Sequence, residues 1–217
     1  KQNKFSNDGQ SGEVSRPKIA IAGASGFIGQ SLGRTLAVDH ELCGLSRSAR
    51  KPTNGYAEFR QVDLFSLRAT ESALEGADYG IYLVHSMLPA ARLVQGQFED
   101  LDILCAHNFA MAAKKAGLKQ IVYIGGLIPQ MDSLSMHLQS RLEVERVLGS
   151  TGVPVTTLRA GMVVGANGSS YQLLARLVKR LPIMALPAWT RTHMHPVAID
   201  DLVLSVDTVL GNTEWFD

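Results

Sequence analysis

Short apolar runs, several of them unbroken by polar residues, alternate along the chain with longer stretches in which apolar residues recur every three or four positions. The runs are KIAIAG (18–23), HELCGLS (40–46), AEFRQVD (57–63), DYGIYLVHS (78–86), QIVYIGG (120–126) and VPVTTLR (153–159). Consecutive apolar positions suit strands covered by helices on both faces, as in a parallel sheet. The helical pattern falls at about 26–38, 65–75, 97–116 and 134–149, each stretch closing near a glycine or before a turn. Strand and helix in alternation, joined by right-handed crossovers, predict an α/β fold: a doubly wound parallel sheet of Rossmann type with helices on both faces. In the longest helix, Phe98, Leu101, Cys105, Phe109 and Ala112 make one apolar stripe for the core. Asn108 in the same helix is expected to tie it to the sheet.

The first seventeen residues, KQNKFSNDGQSGEVSRP, follow neither pattern. They are polar and rich in Ser, Asn, Gln and Gly, so they are expected to form a disordered leader, with residues 18–217 as one domain. Twenty-one basic against twenty acidic side chains give no charge excess that would draw a nucleic acid or a membrane surface, and the expected partner is a small molecule. No run reaches the roughly 20 apolar residues that span a bilayer. Cys43 and Cys105 lie in apolar stretches without metal-ligand spacing; they read as small buried hydrophobes of a protein in a reducing cytoplasm, and no metal is expected.

Directly after the first strand comes GASGFIG, with Gly23, Ser25, Gly26, Phe27, Ile28 and Gly29. The first glycine permits a tight turn, the second lets main chain approach a pyrophosphate, and the third lets the following helix pack close to the strand. The helix then offers unpaired N–H groups and the positive end of its dipole to the phosphates. At the end of the second strand a protein preferring NAD would carry an acid for the ribose hydroxyls. This chain has LSRSARK, in which Ser46 and Arg47, with Arg50 and Lys51 behind them, make a cationic rim suited to the 2′-phosphate of NADP. NADP is therefore the expected cofactor and NAD the less favoured one. A plain solvated basic loop is the alternative.

The ordered series GASGFIG, a basic end to the second strand, VDL (62–64), GLKQIVYIGGL, LRAGMVVG and HPVAIDDLV (195–203) resembles the atypical and extended short-chain dehydrogenase/reductase superfamily. It is most similar to the bacterial nucleoside-diphosphate-sugar-epimerase-like and NmrA-like branches. The resemblance covers residues 18–217. It implies that Asp63 and Leu64 lie by the adenine, and that Val84, His85 and Ser86 follow the fourth strand along the cofactor; a helix cap is the plainer role for Asp63. It also implies a homodimer through the helices near 97–116 and 134–149, a bracing role for His195, and a strand beginning in GNTEWFD (211–217) that leads into a substrate lobe. Asp200 reads as a helix cap and Asp201 as a first-turn acid.

The catalytic pattern of that superfamily is altered. A serine or threonine after the fifth strand, a tyrosine and a lysine four residues later are expected. Here Gly125 and Gly126 stand at the first place and His137 and Arg141 at the other two. Ser133 or Ser135 could serve only by folding back. A histidine can move a proton near neutral pH, whereas arginine keeps its charge and binds a ribose hydroxyl or phosphate. The expected function is an NADP(H)-binding protein of this type with weak or no ordinary carbonyl reductase activity. An active oxidoreductase or epimerase using His137 and a protein-interaction scaffold are the alternatives.

Overall fold

The computed structural model describes residues 16–85, 98–129, 134–180 and 195–216. The chain runs β1 (Lys18–Ala22), α1 (Phe27–Leu36), β2 (Glu41–Ser46), β3 (Glu58–Gln61), α2 (Leu67–Leu74), β4 (Tyr79–Tyr82), α3 (Phe98–Ala116), β5 (Gln120–Gly126), α4 (Met136–Gly149), β6 (Val155–Ala160), β7 (Met162–Val164), α5 (Ser169–Arg180), β8 (Pro196–Ala198) and α6 (Ile199–Val209), and ends in a 3-10 turn at Thr213–Trp215. Among the described residues six strands form one sheet in the order β3-β2-β1-β4-β5-β6. Every neighbouring pair in it is parallel. The order reverses between β1 and β4, which opens a crevice at their carboxyl ends, where doubly wound folds bind ligands.

Side-chain alternation along β1 explains the two cores. Ile19 and Ile21 point to one face and pack with Leu32 and Leu36 of α1, Ile81 of β4 and Val203 and Val206 of α6. Ala20 and Ala22 point to the other and pack with Tyr82, Phe109 and Tyr123, as the period of two requires. The small side chains on that face make room for bulky aromatics. The Tyr82 and Phe109 rings meet edge to face at 5.1 Å, an arrangement aromatic quadrupoles favour. On α3, Cys105, Phe109 and Ala112 are buried, as the stripe predicts, while the Phe98 side chain lies outside the described residues.

Both strand and helix patterns are present, with shorter elements than the apolar runs suggest. The run 78–86 is a strand only to Tyr82, because the chain then leaves the sheet to border the crevice. Beyond the carboxyl end of β6, a three-residue parallel pair, β7 with β8, joins Met162 to Pro196 and Val164 to Ala198. Asp200 is no cap: Ala198 occupies the N-cap position, and Asp200 and Asp201 both lie in the first turn of α6, where negative charge meets the positive dipole end. Nor is there a strand in residues 211–216. Asn212 accepts from the Glu214 amide at 3.1 Å and closes a 3-10 turn instead.

Buried Gln120 fastens this tail. Its amide donates to Thr156 Oγ1 at 2.8 Å and to the Val209 carbonyl at 3.0 Å, and its carbonyl accepts from the Gly211 amide at 2.8 Å. All of its strong polar groups are thereby partnered, as a buried amide requires.

Candidate functional site

Three glycines shape the turn after β1 for three different reasons. Gly23 has φ +89°, a conformation that side chains resist, and a Cβ there would lie 3.0 Å from Leu83 Cβ. A Cβ on Gly29 would stand 2.5 Å from the Gly23 carbonyl oxygen and 2.6 Å from Ala24 Cα, so only glycine lets α1 come this close to the loop. Buried Tyr56 donates to the Gly29 carbonyl at 2.7 Å and holds that approach. Gly26 differs from both: a Cβ there meets nothing nearer than the Gly23 oxygen at 3.3 Å. Its open side is space the polypeptide does not need. Gly26 is also the N-cap of α1 with no side-chain cap bond, and no acid occupies the first turn. The first amides of the helix are thus left for an anion.

Two cavities open from this loop. The smaller, of about 390 Å³, runs to the carboxyl ends of β2 and β3 and is lined by Gly23, Ser25, Gly26, Ser46, Arg47, Asp63, Leu64, Val84 and His85. The larger, of about 600 Å³, runs toward β5 and α4 and is lined by Gly23, Gly26, Phe27, Ile28, Gly29, His85, Gly125, Gly126, His137 and Arg141. Both volumes lie in the range of ligand pockets. Every predicted site residue among the described ones therefore borders one cavity or both, and Ser86 lies outside the described residues.

The rim of the smaller cavity is organised by main-chain contacts. Ser46 Oγ accepts from Arg50 Nε at 3.2 Å. Gln61 donates to the Arg47 carbonyl at 3.1 Å and fixes the main chain beneath the exposed Arg47 side chain. Asp63 accepts from the Phe65 amide at 3.1 Å, turning the chain; Ser66, not Asp63, caps α2. Asn108 donates to the carbonyls of Leu64 and Phe65 at 2.8 and 3.0 Å, which ties α3 to this loop rather than to a strand. Cys105 also lines the cavity; desolvation pushes its thiol up to about 12, so it presents a neutral S–H. An apolar stripe in the sequence does not reveal which of its members borders a void.

In the larger cavity, exposed His137 and half-buried Arg141 lie one turn apart on α4. Tyr123 beneath them donates to the Arg141 carbonyl at 3.4 Å. A Cβ on Gly126 would meet Leu138 Cδ2 at 3.3 Å and Arg141 Cγ at 3.9 Å, and one on Gly125 would meet Thr157 Cγ2 and the Tyr123 ring at 3.2 Å. The end of β5 is glycine where α4 approaches it. Ser135 does not restore the hydroxyl, because it caps α4 by accepting from the Leu138 amide at 3.4 Å; Ser133 lies outside the described residues. His85 sits where the cavities meet. Its side chain is exposed at the cavity mouth; partial desolvation there, and then the Arg141 guanidinium, hold its imidazole below the ordinary histidine range.

The opposite wall was not singled out in the sequence. Ala160, Gly161, Met162 and Val163 from the β6–β7 junction face the larger cavity, with Gly168. Phe27 packs on Gly165 and Gly168, and the His195 carbonyl presses on Gly161 so closely that a Cβ there would collide with it. His195 thus braces this wall through its main chain. Among the described residues no cluster of three or more ligating side chains could hold a metal, and no helix is long and apolar enough to cross a membrane.

A switch-point crevice bordered by a glycine turn and a free helix N-terminus defines a dinucleotide-binding Rossmann protein, and comparison with known proteins sharpens this. Residues 23–180 match the NAD(P)H-binding family, and the chain belongs to that family. Its cofactor class is the nicotinamide dinucleotides. The auxiliary protein GraX of Staphylococcus aureus is 27% identical over 146 residues, 65% of this chain and 43% of GraX. This chain thus spans less than half the length of that relative. The Bordetella bronchiseptica enzyme WbmG, solved with NAD, aligns with TM-score 0.73 and 19% identity over 94% of this chain and 71% of that one. The UDP-N-acetylglucosamine 4-epimerase of Bacillus cereus aligns with TM-score 0.67 and 20% identity over 90% and 74%. Both share the fold.

Proposed function

We propose that this protein binds NADP(H) across the two joined cavities and has little or no ordinary carbonyl reductase activity. The observation that carries the reading is that His137 and Arg141 border the same cavity as the glycine turn, while the adjoining end of β5 is Gly125–Gly126. The tyrosine, the lysine and the orienting hydroxyl of the superfamily are thus replaced together. In this reading Gly23, Ser25, Gly26 and the first turn of α1 hold the diphosphate, and Ser46 and Arg47 take the 2′-phosphate by charge-assisted hydrogen bonds. Asp63, Leu64 and Val84 enclose the adenosine, and Arg141 clamps the nicotinamide ribose. A bound NADP(H) supplies a hydride donor or acceptor; the protein's part is to orient it and to limit access by water.

The apolar wall of Met162, Val163 and Leu127 leaves room for a small-molecule substrate beside the cofactor. Leu104 and Met111 of α3 and Met136 of α4 are exposed apolar residues, which supports a homodimer through these two helices. The two free, buried cysteines fit a reducing cytoplasm.

A second reading makes the site an active oxidoreductase or epimerase with His137 as acid and base. The exposure of that imidazole to the cavity favours it. Nicotinamide absorbance with a panel of carbonyl compounds and sugar nucleotides separates the two: binding without turnover supports the first reading, and turnover lost in His137→Phe establishes the second.

A further inference from the structure

The two cavities meet at Gly23, Gly26, Leu83 and His85, the four residues that border both. A dinucleotide has the same plan, because its two nucleoside halves are joined by a diphosphate. With the adenosine in one cavity and the nicotinamide riboside in the other, the diphosphate crosses this junction. Of the four shared residues only His85 can change its charge. We propose that His85 faces the diphosphate of the bound dinucleotide and takes up a proton as it binds, so that cofactor affinity rises as pH falls. This rests on the reading of the joined cavities as the dinucleotide site.

The surroundings of His85 favour such a switch. Its Nδ1 lies 3.4 Å from the Leu83 carbonyl, which assigns Nδ1 as the donor and leaves Nε2 to gain the proton. In the free protein, partial desolvation of this exposed side chain disfavours the imidazolium first; Arg141 and, more weakly, His137 of α4 oppose it by their charge, while the Leu83 carbonyl and Asp102 of α3 favour it. The imidazole therefore begins neutral near pH 7. A diphosphate brings two negative charges and offsets the repulsion from α4, so the bound state holds the proton to higher pH than the free state. The sign follows from linkage. Between the free and bound pKa values each bound dinucleotide takes up a proton, and affinity falls by at most tenfold for each unit of rising pH.

NADH is the probe of choice, because it lacks the 2′-phosphate of NADPH, which itself titrates near pH 6. Calorimetric titration of the full chain with NADH from pH 6.0 to 8.5, in buffers of different ionisation enthalpy, is expected to give proton uptake and a dissociation constant about tenfold lower at pH 6.0 than at pH 8.0. His85→Gln should flatten the profile and abolish the uptake. His85→Lys, charged throughout, should bind at pH 8.0 with the affinity the parent reaches only at pH 6.0. NADH bound with a flat profile overturns the proposal alone, as does uptake that persists in His85→Gln or vanishes in His137→Gln. Absence of NADH and NADPH binding at every pH overturns the dinucleotide reading with it.

Discussion

The phenol of Tyr123 donates to the main-chain carbonyl of Arg141 at 3.4 Å, from the middle of β5 to the cavity-facing side of α4. Burial raises the Tyr123 pKa against the opposing influence of Arg141, so the phenol remains a donor. Tyr123 is fully buried and is absent from the lining of both cavities. It anchors the main chain of α4 at Arg141.

Arg141→Ala should then weaken NADPH binding by roughly 1–3 kcal/mol, the range for loss of a charged hydrogen bond, while His137→Phe should change affinity little. Titration calorimetry of both variants measures this. Carbonyl reduction by the parent at about 1 per second or faster, lost in His137→Phe with binding intact, would reverse the ranking of the two readings.

Gly26→Val should abolish dinucleotide binding while leaving the melting temperature within a few degrees of the parent. The β-carbon finds only the Gly23 oxygen, at 3.3 Å, so the fold tolerates it; the branched methyl groups would occupy the space read as the diphosphate's. Unchanged affinity in a folded variant would mean that the cofactor lies elsewhere.

The parts of the molecule legible in the sequence are those where one physical requirement acts alone. Two-sided burial writes apolar runs, which is why the inner strands of the main sheet were visible, and the turn after β1 demands glycine at 23 and 29. Three-residue strands such as β7 carry too little pattern to be seen, and the cavity wall they support was missed with them. Asp200 looked like a cap because capping and dipole compensation favour the same residue type at positions only two apart. The resemblance sets His85 along the cofactor, but its place at the junction of two cavities was not legible. It depends on β4 ending four residues before the apolar run does, a matter of tertiary geometry.

Arg47→Asp should shrink or reverse the preference for NADPH over NADH. Loss of a charge-assisted contact to the 2′-phosphate costs about 1.5–3 kcal/mol, and an acid at this place suits the ribose hydroxyls of NAD. Dissociation constants for both cofactors in parent and variant check it, and an unaltered ratio would show Arg47 to be a solvated loop residue.

Asp78 links stability to pH. It accepts from Lys119 at 2.7 Å and from the Lys18 amide at 2.9 Å, and these bonds hold its carboxyl below the ordinary range. Its contribution is complete above the unfolded-state pKa of about 3.9 and is lost as pH falls through the lower folded-state value. Asp78→Asn should therefore lower the melting temperature by roughly 1–3 °C at pH 7, with the gap closing in acid below that window. A gap of equal size in strong acid would assign the effect to shape rather than charge.

The central claim, an NADP-selective dinucleotide site, is tested most directly by titrating the unmodified protein with NADPH and with NADH under one set of conditions at pH 7.5. The account predicts that both bind and that NADPH binds roughly ten- to a hundredfold more tightly, the affinity equivalent of about 1.5–3 kcal/mol. Equal dissociation constants, or tighter binding of NADH, would contradict it.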